Sequence, residues 1–226
     1  LDLADFFPTI HWHRVRAVFL SAGYPDSVAS LLAGLCTHST HAGFLDSLDL
    51  TPSRHWRLRR LHGRAHLPQD APTSPALSNL IAFRLDCRLS ALAAAAGARY
   101  TRYADDLAFS GDETFATSAR RFHTQVAAIA LEEGFEINAR KTRIMRAGIR
   151  QRLAGIVVNR HPNLARHDYD RLKALLHNCV AYGPHTQNHQ NHADFRAHLA
   201  GKIAYVEMLN PSRARRLREL FNRIDW

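Results

Sequence analysis

The chain has 226 residues, with 30 Lys+Arg against 20 Asp+Glu and a formal net charge of +10. That length buries a core of its own, and the 46% apolar content is ordinary for a globular protein. The cationic excess calls for an anionic partner, nucleic acid before membrane, and no apolar run is long enough to cross a bilayer.

Cys36, Cys87 and Cys179 lie far apart with no Cys-x-x-Cys pair. They read as free thiols in a reducing, cytoplasmic compartment rather than as a disulfide framework. No secretory leader is recognisable, and the chain opens Leu1-Asp2 without an initiator methionine, so a fragment is expected.

Residues 12–22 carry Val15, Val18 and Phe19 at helical spacing. Pro25-Asp26 then opens a second helix whose apolar face is Val28, Leu31, Leu32 and Leu35. Residues 37–52 are polar and irregular, and 56–66 are rich in Arg and His around a strand-like segment. Ser74-Pro75 is a helix start, with the serine hydroxyl as cap and proline at the first helical position. Leu77, Leu80, Ile81, Leu85, Leu89 and Leu92 form one stripe, and Gly97 ends the helix. A strand at 99–103 leads through Ala104-Asp105 to a return strand at 107–110. Residues 114–133 make the next helix, with Phe115, Phe122, Val126 and Ile129 inward and Gly134 as its stop. Residues 135–138, 143–146 and 153–158 read as short strands.

Strand, helices, hairpin, helix and strand in that order predict an α+β fold of the ferredoxin-like βαββαβ type over residues 1–160. Such a sheet would bring the end of the first strand beside the hairpin turn. A linker at 159–164 leads to a helical region, 165–226, with helices at 168–178, 193–209 and 211–223. Asn210 is the cap of the last helix, where Arg213, Arg215, Arg216, Arg218 and Arg223 alternate with Leu217, Leu220 and Phe221. His185, His189, His192 and His198 read as a solvated, weakly basic loop rather than as a zinc site, because the residues between them are Gln, Asn and Ala.

The acidic pair Asp105-Asp106 sits at the tip of a tight hairpin in a basic protein. Hard divalent cations such as Mg²⁺ take oxygen ligands, commonly one or two carboxylates plus substrate phosphates. The pair therefore points to metal-assisted phosphoryl transfer on a nucleic acid. Asp2 supplies a second acidic position after an apolar residue, ahead of the aromatic pair Phe6-Phe7. Asp5 reads as a strand-end or capping residue.

The segments Leu1-Asp2-Leu3-Ala4-Asp5-Phe6-Phe7-Pro8, Leu67-Pro68-Gln69-Asp70-Ala71-Pro72 and Tyr103-Ala104-Asp105-Asp106 occur in that order. Together they resemble the palm of a bacterial reverse transcriptase of the retron and group II intron kind. The likeness runs from Asp2 to about Asn159, with a looser, thumb-like likeness over 165–226. It implies an RNA-directed DNA polymerase that extends a primer 3′-end with dNTPs on an RNA template, with a cognate noncoding RNA as a further partner and no membrane. Two Mg²⁺ ions, with Mn²⁺ as the alternative, would be held by Asp2 and Asp105, assisted by Asp106 and the Leu3 carbonyl. Phe7 would exclude a ribose 2′-hydroxyl. Gln69, with Asp70 and Ala71, would contact the incoming nucleotide, and Lys141 would protonate the leaving pyrophosphate. Tyr103, Gly155, Arg215 and Arg218 would touch primer and template.

Two departures stand out. Asp70 occupies a position where the family pattern has glycine, and Leu153-Ala154-Gly155 stands where retron enzymes often carry Val-Thr-Gly. The alternative implied by Asp70 is a catalytically impaired, nucleic-acid-binding relative in an antiviral defence or retron-like system.

Overall fold

The computed structural model describes residues 1–226, which divide into two units, Leu1–Ile144 and Met145–Trp226. In the first unit an extended start leads into a short helix, α1 (Phe6–Thr9), and then to α2 (Trp12–Ser21) and α3 (Asp26–Cys36), which pack on each other. The close contact uses the small residues of α3: Ala29 and Ala33 are fully buried. Of the larger side chains expected to face the core, Leu32 is half-buried and Val28, Leu31 and Leu35 are exposed. Leu31 is 70% and Leu35 84% exposed. Both faces of α3 are apolar, and the one that lets two helix backbones approach closely is the alanine face.

Next come α4 (Ala42–Asp46) and α5 (Pro52–His62). The segment read as strand-like is therefore largely helical, with Pro52 in the first turn and Arg59, Arg60 and His62 in the last, where cations suit the helix dipole. Residues 66–67 run extended, with His66 bridging to both His11 and His38.

The long leucine stripe is two helices, α6 (Ser74–Ile81) and α7 (Phe83–Ala95), separated by the fully buried Ala82. Leu77, Leu85 and Leu89 face inward, while Leu80 is exposed because it lies off the buried face of α6, which carries Ser74, Leu77 and Ser78. Ser74 lies within the helix rather than capping it: its hydroxyl is buried and donates to the Pro68 carbonyl at 2.6 Å. At the end of α7 the N–H of Ala98 reaches the Ala93 carbonyl at 2.8 Å and that of Gly97 reaches Ala94 at 3.1 Å, the double closure of a Schellman motif. The helix after the hairpin, α8 (Glu113–Glu132), ends the same way: Phe135 donates to Ala130 and Gly134 to Leu131.

Strands β1 (Arg99–Tyr103) and β2 (Asp106–Ser110) pair antiparallel, from Arg99 opposite Ser110 to Tyr103 opposite Asp106. On the far side of β2 lies the start of the chain: Leu1 and Leu107 exchange backbone hydrogen bonds of 2.9 Å, and Asp2 bridges to Asp106. Residues 136–138 complete the row through the Leu3–Ile137 bridge, with Ala4 donating to Glu136 and Asn138 to Asp2. Residues 143–146 form no strand. Beneath these extended segments α7 and α8 close a core built on Leu3, Phe6, Leu85, Leu89, Leu107, Phe122, Val126 and Phe135.

The second unit begins with a hairpin of β3 (Arg152–Leu153) and β4 (Ile156–Val157) and continues into α9 (Arg166–Tyr182), α10 (Phe195–Leu209) and α11 (Pro211–Phe221). Its own core holds Leu172, Leu176, Leu199, Ile203, Val206, Leu217 and Phe221. Asn210 caps α11 by accepting from Arg213 N–H at 3.1 Å, as the sequence predicts. The units divide fifteen or so residues before the linker expected at 159–164. The hairpin goes with the helices because Val157 pairs with Asn163, whose side chain in turn accepts from Arg213 on α11. No helix is long and apolar enough to cross a membrane.

Candidate active site

The loop between β1 and β2 is two residues, Ala104 and Asp105, with Ala104 at φ 51°. Positive φ is what a two-residue hairpin demands, since it matches the twist of the flanking strands. A side chain there is strained by about 1–3 kcal/mol, and such strain persists only where its surroundings fix it. The fixing group is Arg102. Its Nη1 donates to the Ala104 carbonyl at 3.0 Å and to Asn79 Oδ1 at 3.1 Å. Its Nε and Nη2 grip Asp86 on α7 at 2.8 and 2.7 Å, and Tyr100 Oη donates to the same carboxylate at 2.7 Å. The Arg102 side chain is only 6% exposed.

Asp2 and Asp106 stand opposite one another in an antiparallel bridge, so their side chains leave the same face about 5 Å apart at Cβ. The Leu3 N–H donates to the Asp105 carbonyl at 2.8 Å and locks the turn to the first strand. Asp2 is 6% exposed, and Lys141 Nζ donates to its Oδ2 at 3.0 Å. Burial pushes the Asp105 carboxyl above its ordinary pKa, and the charges of Asp2 and Asp106 push the same way, with Lys141 opposing. The hydrogen bond to Asp2, and then the charges of Asp2, Asp105 and Asp106, hold the Lys141 ammonium above its usual value. These four side chains share one electrostatic neighbourhood.

No group of three acidic, His or Cys residues is drawn into a ready-made metal cage. The donor set nonetheless fits a hard cation that keeps waters and takes one or two carboxylates plus phosphates. A carboxyl held up by burial and by two neighbouring carboxylates is one whose ionised form a cation would relieve.

Phe7 lies on α1, its ring edge-on to the buried Phe6 at 5.3 Å, and Phe6 in turn meets Phe135. Asp5 occupies the position before α1 at φ 49° and makes an ion pair with Arg57 of α5 rather than a side-chain cap. Gln69 and Asp70 are exposed on the loop that Ser74 ties down, followed by the half-buried Ala71. Asp70 has φ 64°, so the backbone keeps the left-handed conformation that glycine favours and that Asp tolerates better than most residues. Tyr103 is exposed at the end of β1.

Gly155, Arg215 and Arg218 belong to the second unit. Ala154 and Gly155, at φ 45° and 85°, form the two-residue loop of the β3–β4 hairpin. A Cβ on Gly155 would meet only an ordinary contact, so turn geometry rather than close packing within the chain accounts for the glycine. Arg215 is exposed on α11, and Arg218 pairs with Glu207 at 2.6 Å.

Sequence reading missed Arg102 and Asp86, and gave Ser74 a capping role in place of its bond to Pro68. The signal for Arg102 was present: alternation along β1 sets it on the same side as Tyr100, and a guanidinium on an inward face requires a carboxylate partner.

A family model described as reverse transcriptase (RNA-dependent DNA polymerase) matches residues 1–190. The chain belongs to the reverse transcriptase family. Among curated relatives of this reverse transcriptase chain, the retron Mx65 reverse transcriptase of Myxococcus xanthus is 42% identical over 222 residues, 96% of this chain and 47% of that protein. The retron Mx162 reverse transcriptase of the same organism is 34% identical, covering 95% of this chain and 45% of that protein. The retron Ec86 reverse transcriptase of Escherichia coli is 32% identical, covering 78% and 47%. The reverse transcriptase chain thus spans about half the length of the curated relatives it matches.

Proposed function

We propose that this chain carries the catalytic centre of an RNA-directed DNA polymerase of the retron kind, adding deoxynucleotides to a primer 3′-hydroxyl. The observation that carries the reading is the Asp2–Asp106 bridge, which unites residues from two distant motifs beside the Asp105 turn. The row in which the first segment lies between β2 and 136–138, with β1 outside, supports a ferredoxin-like palm over the first unit. The basic second unit is read as the thumb that grips template and primer, with Arg215 and the β3–β4 hairpin as contacts.

Asp2 and Asp105 are the principal ligands for a pair of Mg²⁺ ions, with Asp106 and the Leu3 carbonyl assisting. When bound, such ions stabilise the attacking and leaving oxygens of an in-line displacement. Lys141 lies beside the same carboxylates, where its ammonium balances polyphosphate charge and can give a proton to the leaving pyrophosphate. Phe7, braced by Phe6, excludes a 2′-hydroxyl by bulk and by leaving it unpaired. The template is RNA, the substrates are dNTPs, and a cognate noncoding RNA is a further partner.

The Asp105→Asn variant of the native gene product abolishes Mg²⁺-dependent dNTP incorporation on a primed RNA template. Retained incorporation refutes the assignment. A second reading, a nucleic-acid-binding relative with little catalysis in a defence or retron-like system, draws on the carboxylate of Asp70 in the nucleotide loop. Salt-sensitive duplex binding without incorporation, persisting in Asp70→Gly, favours it.

A further inference from the structure

We propose that Arg102 is a positioning residue for the catalytic turn, set by Asp86 and Asn79, and that it acts on the metal-binding carboxylates through the carbonyl of Ala104. This rests on the polymerase reading above, since it concerns the same carboxylates.

The guanidinium divides its donors between two jobs. One edge, Nε and Nη2, makes a forked pair with Asp86 on α7. Nη1, pointing away from that pair, spans the 3.0 Å to Ala104 and the 3.1 Å to Asn79 on α6. A pair present only to satisfy a buried charge would be complete at Asp86. The remaining bonds instead fix a strained residue, Ala104 at φ 51°, immediately before Asp105. Tyr100 donates to the same Asp86 carboxylate and holds it in place. The guanidinium carbon also lies 5.8 Å from the centre of the Phe6 ring, next to the Phe7 proposed as the sugar gate. One side chain therefore connects α6, α7, α1 and the acidic turn.

Lysine cannot substitute fully. It carries one compact ammonium without the planar fork, so it can serve Asp86 or Ala104 but not both in fixed geometry. Asp86→Asn removes the charge that orients the fork while keeping the side chain's shape. Groups bonded directly to metal ligands cost about 10–100-fold in metal affinity or activity when lost, and Arg102, which reaches Asp105 through the neighbouring Ala104 carbonyl, is expected at the lower end of that range.

The test uses the native gene product, with Mn²⁺ binding read by electron paramagnetic resonance of the free ion beside steady-state incorporation. Arg102→Met and Asp86→Asn are expected to weaken Mn²⁺ binding by about tenfold or more and lower kcat by a similar factor, with KM for dNTP nearly unchanged. Arg102→Lys is expected to lie between them and the wild type. Leu89→Ala, a fully buried apolar change on the same helix that removes no hydrogen bond of the network, serves as the stability control. Wild-type Mn²⁺ affinity in folded Asp86→Asn and Arg102→Lys overturns the proposal. So does an equal loss in Leu89→Ala at a temperature where it is folded. Asp105→Asn separates the two levels of inference. If it leaves Mn²⁺ binding unchanged, the polymerase site itself is misassigned and the proposal falls with it. If it abolishes binding while Arg102 and Asp86 variants do not, only the positioning role is refuted.

Discussion

Replacing Asp70 tests both the backbone and the charge of the loop proposed to meet the incoming nucleotide. The residue is exposed, at φ 64°, where the family pattern has glycine. A carboxylate about 4 Å from a triphosphate charge costs about 4 kcal/mol at an effective dielectric of 20 but only about 1 kcal/mol in water. Exposure favours the second figure, which corresponds to about a fivefold change in rate or affinity. The backbone contribution is smaller. Left-handed φ costs an L-residue about 1–2 kcal/mol, Asp less than most, while glycine loses about 0.5–1 kcal/mol through its freer unfolded chain. Asp70→Gly should therefore change stability by less than about 1 kcal/mol, or only a few degrees in Tm for a chain of this size. Asp70→Asn removes the charge and still tolerates the conformation. Steady-state incorporation with varied dNTP should show both variants lowering KM about fivefold. If Asn behaves as the wild type while Gly improves, the charge argument is wrong and the backbone decides. If neither changes KM, the loop does not approach the triphosphate.

Further outcomes follow from the same geometry. The folded Asp105 carboxyl titrates above its ordinary value of 3.8, so it favours folding in acid, and that contribution is lost as pH rises through the folded pKa. Asp105→Asn should consequently raise Tm in metal-free buffer at neutral pH while destroying activity, and the Tm difference should shrink towards acid when followed by calorimetry. Leu89→Ala, fully buried, should cost about 2–5 kcal/mol in denaturant unfolding, whereas Leu31→Ser, on the exposed face of α3, should change stability by no more than about 0.5 kcal/mol. A large loss at Leu31 would refute the orientation of that helix. If Phe7 is the sugar gate as proposed, Phe7→Val should raise the ratio of ribonucleotide to deoxynucleotide incorporation at least tenfold on a primed template. An unchanged ratio would return Phe7 to a packing role.

Local chemistry was legible in the sequence wherever one residue type had one job. Gly97 and Gly134 end their helices as expected, Asn210 caps α11, and the two-residue turn brings its acidic pair beside Asp2. The misreadings arose where two faces compete or where a partner is distant. α3 offers a leucine face and an alanine face, and only the packing of α2 decides between them. The stripe through α6 and α7 has no glycine or proline to mark its break at Ala82. Ser74 looks like a cap because its neighbour is proline, yet its hydroxyl is taken by Pro68. Residues 143–146 read as a short strand, but a short segment needs a partner strand to become one, and none pairs with it. Arg102 escaped because its meaning depends on Asp86, a helix away.

The hydrogen bonds between Leu1 and Leu107, 106 residues apart, set an order of events during folding. A hairpin such as β1–β2 forms within about 1–10 µs from neighbouring residues. Docking the first strand beside it must wait for closure of a very long loop, whose entropy slows non-local pairing. This order predicts that the acidic tip forms before Asp2 arrives beside it, so that the proposed site is completed at the last stage of assembly. On the proposed assignment, cation binding would report maturation of the chain, and an incompletely folded molecule would be silent rather than error-prone.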